Sequence, residues 1–249
     1  MSSTNPHFEN KTVYEHVKEA RNKGLYASME THGVEMPGRY AAGLDSAKDT
    51  AITLQLLFVV MSALSLSLGQ IFLGTFLFSI GWLIWKTGRS ALLGWSRLER
   101  LHRLIEEERW EIEHHRAQER EELTVLYQMK GFKGKLLEEV IDVLMADDNR
   151  LLQVMLEEEL GLQLEVYEHP LKQSLGAAIG VLVSSGIFFL ALCIPVFYAT
   201  YLASFIIIAS CCYFEAKKQK NEVPSAIIWT IAISALALSI AYLISKVHL

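Results

Sequence analysis

Two pairs of glutamates in the middle of the chain have the residue types and spacing to bind a divalent metal ion. The segment ERWEIEHHRAQEREE begins at Glu108 and places Glu111, Glu119 and Glu122 at helical intervals. At about 100° per residue, these four carboxylates and His115 fall within an arc of about 80° on a helix about 21 Å long. Neighbouring like charges repel each other, and carboxylate oxygens and imidazole are ligands for divalent ions. The spacing therefore predicts a metal-binding stripe along one helix face.

The same segment also fits a solvated helix surface. Arg109, Arg116 and Arg120 interleave with the acids, as they do on salt-bridged helices that face water. His114 lies on a different face from the stripe and is not a candidate ligand. The residues by themselves leave a metal site and a solvated surface both open.

A second candidate group lies further along the chain, at Met155 and Glu159. Their spacing of four residues puts both side chains on one helix face. A thioether beside a carboxylate favours softer divalent ions than Mg2+ or Ca2+. The alternative is that Met155 packs between helices, as single methionines commonly do.

The elements that must position these side chains are helices, many of them within a membrane. The chain is 51% hydrophobic, and its apolar residues concentrate in two blocks, 50–95 and 173–246. A helix needs about 20 apolar residues to cross a bilayer. The blocks therefore predict five spans, at residues 51–68, 71–90, 174–194, 197–214 and 225–244. The polar stretch between the second and third spans predicts three helices: one continuing from the second span to Met129, then 135–146 and 149–162.

The predicted fold is an all-α membrane protein with five transmembrane helices and a three-helix domain inserted between the second and third. Its segments are 1–46, an N-terminal segment; 47–95, transmembrane helices 1 and 2; 96–169, the inserted helical domain; and 170–249, transmembrane helices 3 to 5. Cytoplasmic connections are enriched in Lys and Arg. Two basic regions share one side in this topology: Lys86, Arg89, Arg97 and Arg100, then Lys217, Lys218 and Lys220. The N-terminus and the inserted domain are therefore predicted to be cytoplasmic.

Other classes of function lack their usual sequence signals. There is no nucleophile–base pair, phosphate-binding loop or closed His/Cys cluster, so we expect neither an enzyme nor an organic cofactor. The net charge is −5 and no basic stripe is present, so nucleic acid is not an expected partner. The cysteines Cys193, Cys211 and Cys212 lie in apolar segments and are expected to be small buried side chains.

The chain resembles the vacuolar iron transporter family of divalent-metal/proton antiporters. The resemblance covers about residues 43–246 and rests most on the two ExxE pairs followed by Tyr127, Gly131, Met155, Glu159-Leu160-Gly161-Leu162 and Pro170. It implies five transmembrane helices, a cytoplasmic three-helix metal-binding domain and a homodimer. It also implies that the metal ligands are Glu108, Glu111, Glu119, Glu122 and Glu159, with Met155 nearby. His115 is a candidate that the family pattern does not supply, and Leu156 stands where many members have a second Met.

The membrane part departs from that family pattern. Members often carry an Asp that lines the ion path at the start of the first span, and Asp49 is the better candidate here, with Asp45 the other. An acid within a membrane is a functional hypothesis by default, whereas Asp49 at the edge could instead cap the first span. The second span of members carries a Met and a Glu that are missing here, and Lys86 and Arg89 lie in their neighbourhood. Two cations near an ion path would repel the substrate, unless both side chains extend to the interface.

The expected function is membrane transport of a divalent metal, with Fe2+ first and Mn2+ second, coupled to protons and preceded by capture at the cytoplasmic carboxylates. The expected partners are a lipid bilayer, the metal ion and a second copy of the chain. The membrane would be a bacterial inner membrane or that of an organelle. The rival function is a non-transporting membrane scaffold, or a metal-binding protein, whose cytoplasmic helices associate with themselves or with a partner.

Overall fold

The computed structural model describes residues 36–162, 168–196 and 198–248, together with Thr12, Tyr14, Glu15 and Lys18. The predicted N-terminal segment, residues 1–46, is therefore described only from residue 36 onward, apart from those four residues. Between Gly38 and His248 the structure has eight helices and, in the described ranges, no strand, which confirms the all-α class. They are α1 Gly38–Ala63, α2 Leu68–His114, α3 Arg116–Met129, α4 Gly134–Met145, α5 Asp148–Glu158, α6 Pro170–Leu192, α7 Ala199–Lys218 and α8 Val223–His248.

Four of these helices are long and apolar enough to cross a membrane, among the residues that the structure describes: α2, α6, α7 and α8. Helix α2 has 47 residues and is about 70 Å long, more than twice the length that a bilayer core requires. Its polar second half therefore extends well beyond any span. Helix α1 has 26 residues, but its first half carries Asp45, Lys48 and Asp49. The predicted count of five spans stays a prediction.

The first two helices differ from their predicted bounds. Helix α1 begins at Gly38, directly after Pro37, thirteen residues before the first apolar run. The predicted spans 51–68 and 71–90 leave residues 69–70 as their connection, whereas the connection lies between Ala63 and Leu68. The backbone N–H of Ser67 donates to Oε1 of Gln70 at 2.9 Å, and the N–H of Gln70 donates to Oγ of Ser67 at 3.4 Å. This reciprocal cap starts α2 at a Ser-x-x-Gln sequence, so Gln70 lies inside the helix.

The described residues fall into two compact units, divided after Trp95 and before Glu168. In the first, which we call the membrane unit, α1 packs against α6, α7 and α8. A Cβ atom on Gly180 of α6 would lie 2.1 Å from the carbonyl oxygen of Gly43 in α1. Only glycine permits this approach, which is typical of small residues between packed membrane helices.

The second unit, which we call the helical unit, lies within Ser96–Tyr167. It joins the polar end of α2 to α3, α4 and α5 around one apolar core. Its buried members include Leu123, Leu126, Ile141, Leu151 and Met155. The core holds the helix ends at which the candidate ligands lie.

Helix α5 begins at a side-chain cap provided by Asp147. Oδ1 of Asp147 accepts the backbone N–H of Arg150 at 2.8 Å. We expect Asp147→Ala to lower the thermal midpoint of the detergent-solubilised protein by about 2–4 °C, since a lost cap costs about 1 kcal/mol. Asp147→Asn keeps an acceptor at the same place and is the matched control. Equal midpoints for the two variants would contradict a role for the cap.

Candidate metal centre

A single residue breaks the helix that carries the two glutamate pairs. The continuous helix predicted from the second span to Met129 is wrong, because α2 ends at His114 and α3 begins at Arg116. Between them His115 has φ −125° and ψ 30°. Its N–H still donates to the Glu111 carbonyl at 2.7 Å. Neither Gly nor Pro marks the position, so the sequence contained no ordinary signal for the break.

The break turns the predicted stripe into a compact cluster. Glu108 at the end of α2, Glu119 in α3 and Glu159 just after α5 each place a carboxylate oxygen within 4.8 Å of the others. On one straight helix, Glu108 and Glu119 would be about 16 Å apart along the axis. The three residues, which we call the glutamate cluster, therefore meet because the chain bends at His115 and because α5 packs beside it.

The burial of the acids is inconsistent with a solvated surface. Relative exposure is 5% for Glu108, 0% for Glu119, 1% for Glu122 and 2% for Glu159. Ionised acids are almost never buried to this degree without compensation. Glu111 is half-buried.

Two of the interleaved arginines pair with aspartates of other helices. Arg116 contacts Asp148 of α5 at 2.5 Å, and Arg120 contacts Asp142 of α4 at 2.5 Å. Arg109 is exposed. The basic residues that suggested a salt-bridged surface thus tie the helices together around the glutamates.

Burial, and then repulsion between neighbouring carboxylates, raises the pKa values of the cluster. The pKa of Glu108 rises to about 8 and that of Glu119 to about 10. The pKa of Glu159 is raised well above its ordinary value for the same reasons, with Glu122 the largest charged contributor. Without a bound cation, Glu108 and Glu119 therefore hold protons at neutral pH, and a metal ion would replace those protons.

Glu159 is positioned by a tight helix end. Its N–H and that of Leu160 both donate to the Met155 carbonyl, at 2.9 and 3.2 Å. Gly161 follows with φ +66°, a left-handed conformation that glycine adopts at low cost. The Glu-Leu-Gly-Leu sequence thus stops α5 at the point where Glu159 reaches the cluster.

The remaining candidates surround the cluster without joining its three-residue contact. Glu111 and Glu122 add to the negative potential at its members. The Met155 side chain is fully buried in the apolar core, which is the packing role left open above. The ring of His115 packs edge-on against Trp110, with 5.4 Å between ring centroids. What sequence reasoning missed was the role of His115 as the break itself.

The pathway candidate Asp49 lies inside α1. Because the helix begins at Gly38, the alternative in which Asp49 caps the first span is wrong. Its carboxylate, 54% exposed, contacts the Lys86 ammonium at 2.6 Å. Lys86 is thus paired with the candidate acid. The other candidate, Asp45, contacts Lys48 at 3.0 Å.

Comparison with known families gives one match. A sequence model described as the VIT family matches residues 95–246, a stretch that contains the whole glutamate cluster, helices α6 and α7, and all but the last two residues of α8. No individually curated protein matches the chain.

Proposed function

The chain belongs to the VIT family, the vacuolar iron transporters, and from that premise we propose that it captures Fe2+ or Mn2+ at the glutamate cluster and carries the ion across a bilayer in exchange for protons. The coarser part follows directly from membership: the family consists of membrane transporters of divalent metals, not enzymes, and this chain is an integral membrane protein. The ion, the proton coupling and the capture site are the proposal.

One observation carries the capture site. Three carboxylates from three different helix ends converge within 4.8 Å in a place shielded from water. Such convergence has an electrostatic cost, which a divalent cation would offset directly. Carboxylate oxygens suit Fe2+ and Mn2+ as well as Mg2+. Mg2+ gives up its waters reluctantly, so a buried cluster favours the other two ions.

Exchange for protons follows from the raised pKa values of Glu108 and Glu119. An ion that binds to the cluster must displace protons from the carboxylates, and protons that bind again must lower the affinity of the cluster for the ion. We place residues 96–169 and the N-terminus in the cytoplasm on the distribution of Lys and Arg. We further propose that the protein is a homodimer in a bacterial inner membrane or an organelle membrane.

Transport is tested in proteoliposomes that contain the purified full chain. We expect Mn2+ and Fe2+ uptake above that of empty vesicles under an imposed pH gradient, and a fall in uptake when a protonophore removes the gradient. Glu119→Gln should reduce uptake at low metal concentration. Glu121→Gln, an exposed acid of the same helix, should not. Uptake no greater than that of empty vesicles would refute transport.

The rival function is a metal-binding membrane protein that does not transport. The observation that favours it is the contact of both membrane acids, Asp45 and Asp49, with lysines of the chain. This rival predicts Mn2+ binding that Glu119→Gln weakens, without flux into vesicles at any pH gradient.

A further inference from the structure

A lysine ammonium lies against each of the acids that α1 brings to the membrane unit. Lys86 of α2 contacts Oδ2 of Asp49 at 2.6 Å. Its ammonium also lies 5.9 Å from the centroid of the Trp82 ring. The indole N–H of Trp82 in turn donates to Oγ1 of Thr50 at 3.0 Å. Although Asp49 is half-exposed, the Lys86 side chain is only 15% exposed, so the ammonium is held on more than one side.

A second lysine bridges two acids on different helices. The ammonium of Lys48 contacts Oδ1 of Asp45 at 3.0 Å and Oε2 of Glu215, in α7, at 2.5 Å. All three side chains are partly shielded from solvent, at 19%, 33% and 26% exposure. The membrane unit thus holds two groups of paired charges: one joins α1 to α2 through Asp49 and Lys86, and the other joins α1 to α7 through Lys48 and Glu215.

These ammonium groups occupy the positions that a mobile cation would take. A carboxylate at this distance from an ammonium attracts a further cation less, because the positive charge of the ammonium offsets part of that attraction. A divalent ion that coordinates Oδ2 of Asp49 on the side of Lys86 would have to displace the ammonium. The same holds for Lys48 at Asp45 and Glu215.

These ion pairs contribute little to the free energy of unfolding. Partly exposed ion pairs contribute at most about 1 kcal/mol, and apolar side chains would join membrane helices without any charge. Charged side chains within a membrane protein usually mark an ion path. The arrangement is therefore better explained by control of cations than by helix packing.

We propose that Lys86 and Lys48 are built-in counter-cations, which compete with divalent metal ions for the carboxylates of the membrane unit and so set the metal concentration at which an ion enters it. The proposal deepens the transport function above and rests on it for the identity of the competing ion. It assigns to two lysines the control of substrate entry.

The test is Mn2+ binding to the full chain in detergent, measured by isothermal titration in a Glu119→Gln background that weakens the glutamate cluster. Adding Lys86→Gln should produce a Mn2+ site at least about tenfold tighter than that background shows, a coupling typical of close charge pairs. Lys86→Arg, which keeps the cation, should leave binding at the background level. Adding Asp49→Asn to Lys86→Gln should remove the gained site.

Equal Mn2+ binding by the Lys86→Gln and Lys86→Arg chains would overturn the proposal and leave the lysine a structural role. If Lys86→Gln does not fold, the same comparison is made at the other lysine. Lys48→Gln should then gain a tighter Mn2+ site, and adding Glu215→Gln should remove it. The result is independent of the proposed transport. Absence of flux in vesicles would refute transport, yet the comparison of glutamine and arginine at residue 86 would still be decided.

Discussion

Replacing Glu119 by glutamine is expected to weaken Mn2+ binding by about a hundredfold, or about 2.7 kcal/mol, while making the metal-free protein more stable at pH 8. Glutamine has nearly the same shape but cannot ionise, so the variant loses a charged ligand for the ion and removes the free-energy cost of keeping residue 119 protonated in the folded protein. A residue with only a structural role would not produce opposite changes in affinity and stability. Titration calorimetry and the thermal midpoint, each with and without Mn2+, measure the two effects.

The sign of the stability change follows from the pKa of Glu119, which is about 10 in the folded protein and near its ordinary value of about 4.5 when unfolded. The folded state then holds a proton that the unfolded state releases above about pH 4.5. The associated stability is fully present below that pH and is lost as the pH rises towards 10. Glutamine removes this loss at residue 119.

The matched control is Glu121→Gln, which removes one negative charge from an exposed position of the same helix. It should change neither the Mn2+ affinity nor the pH dependence of the thermal midpoint beyond the effect of a surface charge. If Glu119→Gln binds Mn2+ as tightly as the unmodified chain, the glutamate cluster is not the capture site.

The second large effect is the pH dependence of metal binding. At pH 7 we expect each Mn2+ ion to displace more than one proton, because the pKa values of Glu108 and Glu119 are about 8 and about 10 and burial also raises the pKa of Glu159. The affinity should therefore rise by more than tenfold per pH unit between about pH 6 and 8. Below about pH 6 protons occupy the carboxylates in place of the ion, and the ion is released.

Proton release is measured by repeating the titration in buffers of different ionisation enthalpy. In the Glu119→Gln chain the number of released protons should fall by about one, since the glutamine carries no proton to exchange. Glu121→Gln should release as many protons as the unmodified chain. An affinity that does not change between pH 6 and 8 would show that the carboxylates are already ionised and would remove the basis for exchange with protons.

The sequence by itself determined the all-α class, the apolar runs of α2, α6, α7 and α8, and the identities of the cluster acids. Apolar length and residue type are local properties, so they can be read without knowing which segments meet. The cap at Asp147 is also local, because its side chain makes the contact within the first turn. The predicted helix 149–162 was too long, since α5 ends at Glu158 before Gly161 in its left-handed conformation. The family resemblance, strongest over residues 108–170, agreed with the later match.

Only the tertiary structure decided how the acids are used. Helical periodicity placed Glu108 and Glu119 on one long face, whereas the bend at His115, which no Gly or Pro announces, folds them together with Glu159 and excludes water from them. The same holds in the membrane unit, where Lys86 is 37 residues from Asp49 and Lys48 is 167 residues from Glu215. Periodicity describes neighbours along one helix, but burial and ion pairing depend on which helices pack together, and those long-range contacts determine which charges a metal ion would meet.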